Sequence, residues 1–136
     1  LRNDPYDLYI INYANPDMVA HTGDMQATIQ AIRCVDEQVK QIYEVAQEMD
    51  INIFITADHG NAEDMYHEEL DMAKTSHTSN PVPFIQLLAS QKEQPELDLY
   101  GLADVAPHIL AVNELPVPKH MQYSYTLNTQ TSDNDT

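Results

Sequence analysis

Three short polar segments hold the side chains with chemistry to offer. They read Asn15-Pro16-Asp17-Met18-Val19-Ala20-His21, Asp58-His59-Gly60-Asn61 and Ser76-His77-Thr78-Ser79-Asn80. Between them they supply Asp17, His21, Asp58, His59 and His77, and carboxylate mixed with imidazole is a ligand set that borderline divalent ions such as Mn²⁺ and Zn²⁺ accept. Asp17 and His21 stand at i and i+4, which puts both side chains on one side of a helical turn. The adjacent Asp58 and His59 either serve one ion together or face two ions that share the site. Any of the five taken alone is more readily a loop cap or turn former. Convergence of the three segments on one place is what separates a metal centre from loop chemistry. Five ligands exceed a typical one-metal catalytic site and fall short of two, so the set itself points to a missing contribution.

The elements around these segments would create that convergence. Residues 6–12 form an almost continuous apolar run after Asp7, which suits a strand covered on both faces. Across 24–49 the apolar residues Met25, Ile29, Ile32, Val35, Val39, Ile42, Ala46 and Met49 recur at spacings of three and four, predicting an amphipathic helix capped by Asp24. Residues 51–56 read as a second buried strand, and strand, long helix, strand is the unit of a parallel sheet with a right-handed crossover. Ligands in such sheets sit beyond the carboxyl ends of the strands, where the first two polar segments begin. Residues 57–80 lack a period and hold six acids against one Lys, a loop long enough to be functional or mobile. A third strand is expected over 82–88, entered through Pro81 and Pro83, and the segment 76–80 before it can fold back to the same edge. A shorter helix over 102–112 stops near Asn113 and Pro116.

The remaining candidates read as structural. His67, His108 and His120 lie apart from the cluster as surface or helix histidines, and Glu68, Glu69 and Asp71 make a solvated acidic face. Cys34 sits beside the helical stripe as a small buried hydrophobe, and Met25 and Met49 belong to the core. Residues 123–136 turn to Thr, Ser, Asn, Gln and Asp and are expected to be a disordered tail, leaving 1–122 as one metal-binding domain segment.

Composition narrows the function classes. The 136 residues are 43% hydrophobic, enough for one core, and carry 22 acids against 6 Lys and Arg for a net charge of −16. Nucleic acid is excluded as a partner, because phosphate backbones need dense cationic side chains. The same field repels anionic lipids and anionic substrates unless metal ions reverse the local sign. A single cysteine allows no internal disulfide, and no apolar stretch approaches the roughly 20 residues that span a bilayer, so a cytoplasmic location is expected. The chain opens on Leu1 with a polar run directly before an apolar one and reads as a piece of a longer chain.

Extended to Asn15 through Gly23, Thr56 through Glu63 and His77 through Ile85, the three segments resemble, in order, the C-terminal metal motifs of cofactor-independent phosphoglycerate mutase, of the alkaline phosphatase superfamily. Leu102-Ala103-Asp104-Val105-Ala106-Pro107 resembles the helix that follows, so the likeness runs from about Tyr6 to Met121. Ala20 stands where many members have Gly, one added methyl that leaves the ligands in place. The implied fold is α/β: part of an alkaline-phosphatase-like three-layer sandwich, a mainly parallel sheet flanked by helices. The resemblance implies that Asp17, His21 and His77 bind one Mn²⁺ and that Asp58 and His59 bind a second, with Zn²⁺ or Co²⁺ as substitutes. In the family the second ion is completed by an aspartate and a nucleophilic serine from an N-terminal part of the chain that the motifs here do not match. One site at most is then well formed, no residue here is assigned a catalytic role, and the piece alone is expected to be inert and to self-associate through a surface left uncovered. For the complete enzyme the implied reaction interconverts 3-phosphoglycerate and 2-phosphoglycerate through a phosphoserine. The alternatives are another phosphomutase or phosphatase of the superfamily and a non-catalytic metal-binding module.

Overall fold

A computed structural model describes residues 1–3, 6–89 and 101–121. The chain divides into two units, one up to residue 90 and one from residue 91. In the first unit a short helix α1, Asn15–Ala20, begins with Pro16 in its first turn, where the missing amide costs no hydrogen bond. It ends at His21, whose amide returns to the Asp17 carbonyl. Gly23 then turns the chain at φ +76°, a left-handed conformation that glycine adopts without a side-chain clash, and a Cβ there would lie 2.9 Å from that of Ala73.

Helix α2, Met25–Glu48, starts where the spacing places it: Asp24 is the N-cap and its Oδ1 accepts from the Ala27 amide at 2.9 Å. Its Thr28 and Ala46 are buried, and Ala20 at the end of α1 is fully buried where the two helices meet. The apolar stripe is narrower than the spacing predicts. Met25 and Ile32 are 43% exposed and Cys34 is exposed, so neither Met25 nor Cys34 belongs to a core. A helix two layers deep buries only the residues facing its neighbour, and these positions lie beside that face. Replacing Asp24 with Ala should cost about 1 kcal/mol in urea denaturation, while Asp24→Asn should retain most of it.

Strands β1, Ile53–Thr56, and β4, Phe84–Leu87, pair antiparallel with Ile53 opposite Leu87 and Thr56 opposite Phe84. Asn52 lengthens the ladder by accepting the Ala89 amide through its side chain at 3.0 Å. The expected strand over 6–12 does not form: those residues carry no ladder, and Tyr6 and Ile10 are 70% and 87% exposed. An apolar run has the composition of a strand but becomes one only when a partner supplies hydrogen bonds, and among the described residues none does. Among the described residues no parallel crossover through α2 is formed, and both ladders are antiparallel. The α/β class stands.

The segment 57–80 is more structured than its lack of period suggests. It holds a hairpin of β2, Tyr66–His67, and β3, Met72–Ala73, with Asp71 at φ +49° in the turn. Lys74 ties its base, donating to both carboxylate oxygens of Asp64 at 2.8 and 2.7 Å while its amide donates to the Met65 carbonyl.

In the second unit a 3-10 turn, Leu102–Asp104, runs into α3, Val105–Val112, which Asn113 ends. The Asp104 carboxylate caps the start by accepting the Gly101 amide at 3.0 Å. His108 is fully buried in α3, and burial pushes its imidazole below the usual pKa, so it is a helix histidine but not a surface one. His120 is exposed in a second 3-10 turn, and the expected tail at 123–136 lies outside the described residues.

Candidate metal centre

The one-turn helix α1 presents Asp17 and His21 on one side, as their spacing requires, with His21 Nε2 3.3 Å from Asp17 Oδ1. The loop before β4 brings His77 to the same point: its Nε2 lies 3.1 Å from Asp17 Oδ1 and 3.0 Å from His21 Nε2. Three donor atoms thus form a triangle with edges of 3.0 to 3.3 Å. Bonds of about 2.0–2.2 Å to a common ion set neighbouring donors about 2.8–3.1 Å apart at right angles and about 3.3–3.6 Å apart at tetrahedral angles. The observed edges span these ranges, so the donors fit one divalent ion with little movement.

Their ring orientation is also suited to ligation. His21 Nδ1 lies 2.6 Å from the Thr75 carbonyl. A carbonyl only accepts, so Nδ1 carries a hydrogen and Nε2 is the ring nitrogen turned to the triangle, the orientation that a metal-binding histidine uses. Asp17 is held below its ordinary pKa, chiefly because the Asn61 amide donates to Oδ1 at 2.8 Å and further by the three neighbouring imidazoles, while desolvation opposes. It offers the triangle an anionic oxygen.

Asp58 and His59 follow β1 but part company. The His59 ring stacks on His77 at a centroid distance of 3.6 Å, and Asp17, His59 and His77 each offer a ligand atom within 4.8 Å of the others. The Asp58 side chain is 89% exposed, with Oδ1 3.6 Å from His59 Nε2. The structure therefore gathers Asp17, His21, His59 and His77 and leaves Asp58 at the rim.

Several contributors lie outside the expected ligand set. The Thr75 carbonyl, Asn61 and Glu63 all act around the triangle. Glu63 accepts from the Asn61 amide at 2.7 Å, from Asn80 Nδ2 at 2.9 Å and from the Thr78 hydroxyl. These donors, Thr78 foremost, hold its carboxyl down to about 2 against the opposing effect of desolvation. The signal available in sequence is the polar run Asp58-His59-Gly60-Asn61-Ala62-Glu63 itself, in which the expected ligands are only the first two residues.

Comparison with known proteins places this geometry in context. The profile of the Metalloenzyme superfamily matches residues 1–116. A 2,3-bisphosphoglycerate-independent phosphoglycerate mutase of Clostridium perfringens is 43% identical over 128 residues, covering 94% of this chain and 25% of that protein. One from Clostridium botulinum is 46% identical over 121 residues, covering 89% of this chain and 23% of that protein. The chain thus spans about a quarter of the length of these curated relatives. A phosphoglycerate mutase of Leishmania mexicana, solved at low cobalt concentration, superposes with a TM-score of 0.75 at 31% identity, covering 86% of this chain and 24% of that one. The α/β, alkaline-phosphatase-like fold is shared with that mutase.

Proposed function

The chain belongs to the Metalloenzyme superfamily, and on that footing we propose that its 136 residues are the metal-binding part of a phosphoglycerate mutase that interconverts 3-phosphoglycerate and 2-phosphoglycerate. The observation that carries this reading is the triangle of Asp17 Oδ1, His21 Nε2 and His77 Nε2, whose edges of 3.0 to 3.3 Å suit one ion. Asp17, His21 and His77 would hold Mn²⁺, or Zn²⁺ or Co²⁺ in its place, and Asp58 with His59 would offer part of a second site. The bound ions would supply the positive field that polarises a nucleophile and steadies a transferring phosphoryl group, in a chain whose own net charge is −16.

The chain's own residues orient and charge that centre. Thr75 fixes the His21 tautomer through its carbonyl, and Asn61 keeps the Asp17 carboxylate ionised and turned inward. The phosphoserine of the implied route would form on the family's N-terminal serine, to which no residue of the three motifs corresponds. A role in glycolysis and a cytoplasmic location accompany this proposal; among the described residues no helix is long and apolar enough to cross a membrane. Self-association is supported by the exposed Tyr6, Leu8, Ile10 and Ile11.

The test is a graft. These residues should replace the matching quarter of the Clostridium perfringens mutase with mutase activity retained, and His21→Ala in the folded graft should remove it. A folded, metal-loaded graft that only hydrolyses phosphate esters would instead favour a phosphatase of the same superfamily.

A further inference from the structure

Asn61 and Glu63 touch all three segments that meet at the centre without offering the ion a ligand. Asn61 is 5% exposed and its Nδ2 donates to Asp17 Oδ1, the corner of the triangle that α1 supplies. Its backbone N–H donates to Glu63 Oε2 at 2.7 Å, and Glu63 Oε1 accepts from Thr78 and Asn80, on either side of Ser79 in the loop that delivers His77. The Thr78 amide donates to the Gly60 carbonyl at 2.8 Å, which brings the two loops into register. Gly60 makes room for this closure, because a Cβ there would collide with Thr78 Oγ1 and Glu63 Oε1. The other end of the Asn61 amide, Oδ1, is buried with no partner among the described residues. A buried acceptor left open beside a ligand set is a group that a donor entering the centre would satisfy.

We propose that Asn61 and Glu63 are positioning residues of the metal centre, registering α1, the loop after β1 and the loop before β4 so that Asp17, His21 and His77 meet. The inference rests on the reading of those three residues as ligands. Glu63 acts through three accepted hydrogen bonds, and only a carboxylate accepts all three. A glutamine keeps one acceptor oxygen for Thr78 and Asn80 but turns an NH₂ toward the Asn61 amide, donor against donor. The buried amide then loses its partner and the loops lose their tie.

Mn²⁺ alone, titrated into the full 136-residue chain by calorimetry, tests this, with Co²⁺ absorption as a second readout of ligand geometry. Glu63→Gln and Thr78→Val should each weaken Mn²⁺ binding by about 10- to 100-fold, the range for groups that orient ligands, and should change the visible Co²⁺ spectrum. Thr78→Ser, which restores the hydroxyl, should recover both, and Glu69→Gln, an exposed acid of the same loop, should change neither. If Glu63→Gln does not fold, the pair Thr78→Val and Thr78→Ser decides the matter alone. Native affinity and native spectrum in Glu63→Gln and Thr78→Val, with binding lost in His77→Ala, would overturn the inference and leave the ligand assignment standing. Native binding in His77→Ala would overturn the ligand assignment itself.

Discussion

His77→Ala should abolish the dominant Mn²⁺ binding event of this chain, and His59→Ala should leave most of it. The asymmetry follows from geometry. His77 Nε2 is within 3.1 Å of both Asp17 Oδ1 and His21 Nε2, so its loss removes one corner of a three-donor set and leaves one carboxylate and one imidazole. Such a pair binds in the weak range, and the affinity should fall by more than the roughly 100-fold ceiling seen for groups that only orient ligands. His59 contributes a stacked ring against His77, and its neighbour Asp58 faces solvent, so His59→Ala removes support but no corner. Calorimetry on the three chains checks this directly. Loss on His59→Ala with indifference at His77 would show the two sites assigned the wrong way round.

The second large effect is an absence of turnover. The purified 136-residue chain should not convert 3-phosphoglycerate in a coupled assay, even with saturating Mn²⁺. The residues that form the centre hold and orient an ion, and none is the serine that a phosphoserine route requires: two imidazoles and a carboxylate form the triangle, and a third imidazole stacks on one of them. A bound ion without that serine gives no phosphoserine route. Turnover by the purified chain, free of host enzyme and lost on substituting His21 or His77, would contradict this account.

What could be read from sequence followed the range of the interaction responsible. Helix α2 was legible because its cause is local: spacings of three and four and an acid at the cap place its start at Met25. The pairing of Asp17 with His21 was legible for the same reason, and the arrival of His77 followed from the motif order. The segment 6–12 was misread because a strand is made by its partner, which its own residues cannot announce. The hairpin in 66–73 has strands of two residues, too short for any alternation to show. Cys34 and Met25 were put inside because an apolar stripe shows a helix's inward direction but not how wide its cover is. Asn61, Glu63 and the Thr75 carbonyl escaped notice because they act by donating or accepting hydrogen bonds at a distance in sequence, a role that residue type does not reveal.

Anomalous scattering from Mn²⁺-loaded crystals of this chain tests most directly whether one ion sits at one place. A single strong peak is expected about 2.2 Å from Asp17 Oδ1, His21 Nε2 and His77 Nε2 together. A map with no peak inside that triangle, or with its strongest peak beside Asp58 and His59, would contradict it.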